Sequence, residues 1–163
     1  MLRSVAVPLI DEFAMFEFGV VCEVFGLDRS YAGLEPFDFR VCAIDPAQPL
    51  NGRNGVQLIA PYDLSAMEDA DLIALPAADI RDTYPEELLD ALRRASARGA
   101  TLLSVCSGAF VLGEAGLLDG RECTTHWRYA DALQRRFPKA RGNPDVLFID
   151  DGDVITSAGT SAG

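Results

Sequence analysis

Short apolar runs alternate with helically spaced apolar positions along the chain, and this alternation sets the elements. Residues 4–10 form an apolar run with valines, the mark of a buried strand. Phe16, Val20, Val24 and Leu27 follow at helical spacing, which predicts a helix over 16–27 with those residues on one face. Residues 37–44 alternate apolar and polar and predict a second strand. Asn51-Gly52 and Asn54-Gly55 are turn signals, with a short strand expected at 56–60. A third main strand is predicted at 71–75, closed by Pro76.

Thr83-Tyr84-Pro85-Glu86 offers a threonine cap with a glutamate three positions on, so a helix is expected from there to Arg98, stopped by Gly99. Residues 101–105 read as another buried strand. Residues 107–115 read as a small-residue helix ending near Gly116, and 128–137 as an amphipathic helix closed by Pro138. Asp150-Asp151-Gly152-Asp153 then reads as a hairpin turn between strands at 146–149 and 154–156. Strand–helix alternation of this kind predicts an α/β domain, doubly wound in the flavodoxin-like manner, with a mostly parallel sheet, helices on both faces and a small β-hairpin excursion.

The 163 residues suit one domain with a full core, 49% of them hydrophobic and 24% charged. Disorder and fibrous repeats are excluded. The formal charge is −11, which repels phosphate backbones, so no nucleic acid is expected to bind this segment itself. Four cysteines without a CxxC pair, no signal-peptide pattern and no long apolar span point to a reduced cytoplasmic protein away from membranes. No metal-ligand cluster and no cofactor is expected. The tail at 157–163 is rich in small residues and follows directly on a strand. It predicts a domain truncated before its last helix.

In an open parallel sheet, ligands bind beyond the carboxyl ends of the strands. Cys106 falls at such an end, between the run closing at Val105 and the helix opening at Ser107. Small residues Ser107, Gly108 and Ala109 permit the sharp strand-to-helix turn of a nucleophile elbow. Backbone N–H groups at the start of that helix are expected to favour the Cys106 thiolate. Cys22, Cys42 and Cys123 lack this setting and read as packing residues. His126 is the single histidine; its value depends on lying near Cys106, which spacing does not show. Glu17 stands among aromatics near the end of the first strand. Buried, a protonated Glu17 would hydrogen-bond a thiolate; at the surface, it would merely favour a helix N-terminus.

The run Cys106-Ser107-Gly108-Ala109-Phe110-Val111-Leu112-Gly113-Glu114-Ala115-Gly116-Leu117-Leu118-Asp119-Gly120, with Thr124-Thr125-His126-Trp127 after it, resembles the ThiJ/PfpI superfamily, which has the class I glutamine-amidotransferase-like fold. Within it, the pattern is most similar to the N-terminal domain of AraC-type transcription regulators and, second, to isonitrile hydratases. The resemblance implies a cysteine nucleophile at Cys106, a carboxylate partner at Glu17 and a nearby His126. The hydratases carry an aspartate at the Glu17 position and a threonine at the Ser107 position.

A clearer departure is Leu75-Pro76-Ala77-Ala78-Asp79. The enzymes usually carry glycines after this proline, where a backbone N–H serves an oxyanion hole. Alanine is costly there if the N–H requires φ > 0, and losing one such donor costs about a hundredfold in rate. The reading is therefore a ligand- or redox-sensing domain, with Ala77, Ala78, Ser107 and Gly108 lining a small-molecule site at Cys106. A homodimer is expected, with DNA contacted through a C-terminal domain outside this chain. The alternative is a cysteine-dependent hydratase or hydrolase.

Overall fold

The computed structural model describes residues 2–160, so the last three residues of the small-residue tail lie outside the described residues. Strand β1 (Ser4–Pro8) leads through a loop to helix α1 (Met15–Val21). Strand β2 (Asp38–Cys42) follows, then the short antiparallel pair β3 (Leu50–Asn51) and β4 (Gln57–Leu58). Strand β5 (Leu72–Leu75), helix α2 (Glu86–Arg98), strand β6 (Thr101–Val105) and helix α3 (Ala109–Glu114) continue the alternation. After β7 (Glu122–Cys123), helix α4 (Ala130–Arg136) and β8 (Arg141–Gly142), the hairpin β9 (Phe148–Asp151) and β10 (Val154–Ser157) closes the fold.

The main sheet has the order β2-β1-β5-β6-β10-β9, parallel except for β9 at the edge. Its first five strands have the doubly wound order, so the chain reverses direction beside β1 and opens a crevice at the carboxyl ends. Successive side chains on a strand point to opposite faces. Ala6, Ile73, Leu75 and Leu102 accordingly pack with Leu88, Leu92, Phe110 and Leu133 on one side. Val5, Val7, Leu72, Ala74 and Val105 pack with Phe18 and Val21 on the other.

Three expectations change. The predicted helix over 16–27 is α1 followed by a wider π-helical turn, Cys22–Gly26. Its supposed core stripe faces outward, with Phe16 58% and Val24 49% exposed. Phe18 and Val21 are the residues that bury, and Phe18 packs edge-to-face on Phe13 at 5.8 Å. This rotation carries Glu17 inward.

Thr83 does not cap α2. Pro85 precedes Glu86 without any side-chain cap, and its fixed φ of −58° sets the helix entry while Glu86 and Glu87 face the positive end. Tyr84 is buried, and its N–H goes to Glu114 Oε1 at 2.9 Å, which holds the segment down. Helix α4 is preceded by a 3-10 turn, Trp127–Tyr129, and is shorter than predicted. The stop at Gly99, at φ 95°, is as expected, as is the β9–β10 hairpin with Gly152 at φ 80°.

Candidate functional site

Cys106 leaves β6 in the left-handed region, at φ 57°, and begins a 3-10 turn, Cys106–Gly108, that runs into α3. A non-glycine residue in this conformation costs about 1–3 kcal/mol and persists only where its surroundings fix it. Four contacts do so. The Thr125 hydroxyl donates to the Cys106 carbonyl at 2.7 Å, and the Ser107 hydroxyl to the Ala78 carbonyl at 2.6 Å. Gly108 passes so close to β5 that a Cβ there would lie 2.6 Å from the Leu75 carbonyl oxygen. Gly159 lies against the Cys106 side chain in the same way.

Glu17 is buried, at 6% exposure, and its carboxyl faces the Cys106 thiol. Burial pushes that thiol up to about 11, the Glu17 charge and a hydrogen bond to its carboxyl push the same way, and the Ser107 N–H and the Arg53 charge oppose them. Burial and Glu17 thus work against the thiolate expected from the backbone N–H groups, and the Ser107 N–H works for it. Cys42 is pushed up to about 12 and Cys123 to about 11, in both cases chiefly by burial. Cys22 is half-buried, and burial raises its thiol as well.

His126 reaches the neighbourhood through its chain neighbour Thr125 rather than through a hydrogen bond to Cys106. Its Nδ1 accepts the Arg128 N–H at 3.2 Å, and its ring lies tilted against Trp127 and Tyr129, with centroids at 5.4 and 5.6 Å. Ala77 and Ala78 are buried beside the elbow. The alanine penalty expected there does not arise. Among the described residues, the non-glycines with positive φ are Glu12, Cys106 and Thr160, so neither alanine is strained. The turn is instead tied to the connection between β1 and α1, with Ala14 N–H donating to Ala77 O at 2.8 Å and Asp79 N–H to Glu12 O at 3.2 Å.

Sequence reasoning missed Arg53, Thr125 and Gly159. Arg53 follows Asn51-Gly52 on the loop between β3 and β4, and that hairpin is tied to the connection between β1 and α1 through Glu12 N–H to Asn51 O at 2.6 Å. Its Nε pairs with Asp79 Oδ1 at 2.7 Å. A lone arginine in a turn of an acidic chain was the available signal. For Gly159, the signal was the small-residue run after β10. Among the described residues, no group of three or more metal-ligating side chains occurs, and no helix is long and apolar enough to cross a membrane.

A doubly wound α/β sheet with a left-handed cysteine at the carboxyl end of a central strand is the architecture of a recognisable class. The DJ-1/PfpI family pattern matches residues 3–163, and the chain belongs to that family. It is 37% identical over 116 residues to the HTH-type transcriptional regulator CdhR of Pseudomonas aeruginosa, covering 70% of this chain and 34% of the regulator. It is 34% identical over 118 residues to the isonitrile hydratase of Pseudomonas putida, covering 71% of this chain and 50% of the hydratase. The chain therefore spans half or less of the length of either relative. A crystal structure of an AraC family transcriptional regulator from Pseudomonas putida superposes with a TM-score of 0.81 at 25% identity, covering 96% of this chain and 83% of that one.

Proposed function

We propose that this chain is the small-molecule-sensing domain of an AraC-type transcription regulator, with Cys106 at the floor of its ligand site. The observation that carries the reading is the state of Cys106. It is held in a strained elbow beside buried Glu17, yet its thiol is pushed up to about 11. A thiol protonated at neutral pH serves recognition better than nucleophilic attack, because the thiolate is the nucleophile. The same argument favours ligand binding over oxidation as the signal, since oxidation also begins at the thiolate. Likeness to the regulators supports the context. In that context the domain is cytoplasmic and homodimeric, and DNA is contacted by a separate domain. The net charge of −11 is in keeping with that division of labour.

Ligand binding would act by stabilising one of two arrangements of the regulator, in proportion to its differential affinity for them. The alternative is a hydratase, favoured by the 34% identity to isonitrile hydratase and by the elbow itself. Steady-state assay with small isonitriles separates the two. The expected result is the same negligible turnover in wild type and Cys106→Ala. A Cys106-dependent kcat near the enzyme median of about 10 s⁻¹ would replace the sensor reading with the enzyme.

A further inference from the structure

Resting on the homodimer proposed above, we infer that a second copy of this chain docks on the outer face of α1 and the π-helical turn after it. A shallow groove runs along that face, lined by Met15, Phe16, Gly19, Val20, Glu23 and Val24. Phe16 is 58% exposed, and Val24 and Leu27 are each 49% exposed. With half-buried Met15 and Val20, the face offers roughly 400 Å² of apolar surface. A stable interface buries about 800 Å² on each partner, a little over half of it apolar. The face therefore supplies most of the apolar core that a dimer needs.

Charge favours a second copy at this place. Each copy carries −11, so two copies repel wherever their acidic surfaces meet. The groove carries one charge, Glu23, and Arg29 neutralises it at 3.3 Å while its other terminal nitrogen donates to Val24 O at 3.1 Å. Two such faces meet without net repulsion. Gly19 supplies the fit. It lies inside α1, is exposed and lacks a positive φ, and a Cβ there would meet nothing within 4 Å. Within one copy alanine would fit and favour the helix more. Glycine instead leaves a notch beside Phe16 that lets two helices approach closely. Under two-fold symmetry the same patch serves both copies, so Phe16 of each fills the Gly19 notch of the other. Glu17 lies on the buried side of the same helix, so the copy docked outside braces the helix that carries it.

Sedimentation velocity of the whole chain, from micromolar to submillimolar concentration, tests this directly. Wild type is expected to pass from monomer to dimer over that range. Val24→Glu sets two carboxylates into the shared face and should raise the dimer dissociation constant at least about tenfold. Gly19→Leu is the sharper variant. It adds apolar surface, so general stickiness would tighten association, whereas a filled notch weakens it by about tenfold or more. Phe148→Glu is the control. It removes an aromatic side chain that is 64% exposed on edge strand β9, and the constant should not move.

All three substitutions sit at exposed positions, so the folded monomer should survive them, as urea unfolding would read. A wild-type chain that stays monomeric throughout overturns this inference and the homodimer together, and leaves the small-molecule reading to the isonitrile assay. A dimer that Val24→Glu leaves unchanged, that Gly19→Leu tightens, or that Phe148→Glu weakens as much, has its interface elsewhere. That result overturns the α1 face alone and leaves the homodimer standing.

Discussion

Gly159 lies so close to Cys106 that a Cβ on the glycine would stand 2.1 Å from the cysteine's Cβ and 3.0 Å from its sulfur. No side chain fits between these two residues. The glycine sits at φ 76°, so it supplies both the backbone conformation and the space that the elbow needs. Residues 106 and 159 meet because β6 and β10 are parallel neighbours, with Val105 opposite Ser157.

Gly159→Ala should therefore destabilise the protein by about 2–4 kcal/mol, combining steric overlap with a left-handed alanine. Gly116→Ala is the control. Gly116 is also left-handed, at φ 78°, but its Cβ would meet nothing within 4 Å. It should cost only about 1 kcal/mol. Urea unfolding of the two variants checks the difference, and equal losses would mean that the contact with Cys106 carries no weight.

Glu17→Gln should make Cys106 more reactive. Burial and the Glu17 charge both raise the thiol, so removing the charge takes away one of the two main raising influences and lowers the midpoint from about 11. At a fixed pH near 8, the thiolate fraction and the alkylation rate both rise. The pH–rate profile for iodoacetamide reads this as a shift to lower pH. An unmoved profile would mean that the carboxyl does not act on the sulfur.

Glu17 also shows what the chain disclosed and what it hid. The strand read at 4–10 (observed at 4–8), the strand at 101–105, the cysteine at a strand end and the Gly99 stop were legible because burial and backbone conformation are local in sequence. The orientation of α1 was not. Phe16, Val20, Val24 and Leu27 make the more regular stripe, but Phe18 and Val21 win the core because buried Phe13, just before α1, packs against Phe18. Periodicity ranks faces by regularity, whereas packing chooses the face that has a partner. Arg53 was hidden for a related reason. Its position comes from a loop that lands on Phe13 in the connection between β1 and α1, and no spacing within residues 51–55 records where that loop lands.

Alkaline conditions should weaken the fold. Cys42, Cys106 and Cys123 stand at about 12, 11 and 11, against an ordinary value of 9.0. A thiol raised in the folded state contributes stability that is fully present below the unfolded value and lost as pH climbs through the folded one. The urea midpoint should hold up to about pH 8.5 and then fall steadily through pH 10 and 11. Cys42→Ala should flatten that fall, because one of the three titrating groups is gone. The comparison has to be made on slopes, since the substitution also trims a buried side chain.

Ala77→Gly bears on the choice between sensor and enzyme. If the alanines of the 76–79 turn were what blocked an oxyanion hole, glycine would relieve them and turnover would appear. The backbone says otherwise, because Ala77 and Ala78 are both free of positive φ and their turn is already pinned to Glu12 and Ala14. Glycine here should only loosen the unfolded chain and cost about 0.4–1 kcal/mol of stability. Isonitrile turnover should stay at the wild-type level, while the unfolding midpoint drops slightly. A Cys106-dependent gain of tenfold or more in Ala77→Gly would show that the site is a repressed catalyst, and the weak ionisation of Cys106 would then have to be relieved by the substrate itself. No gain would count for the sensing reading and against the alanines as a block on turnover.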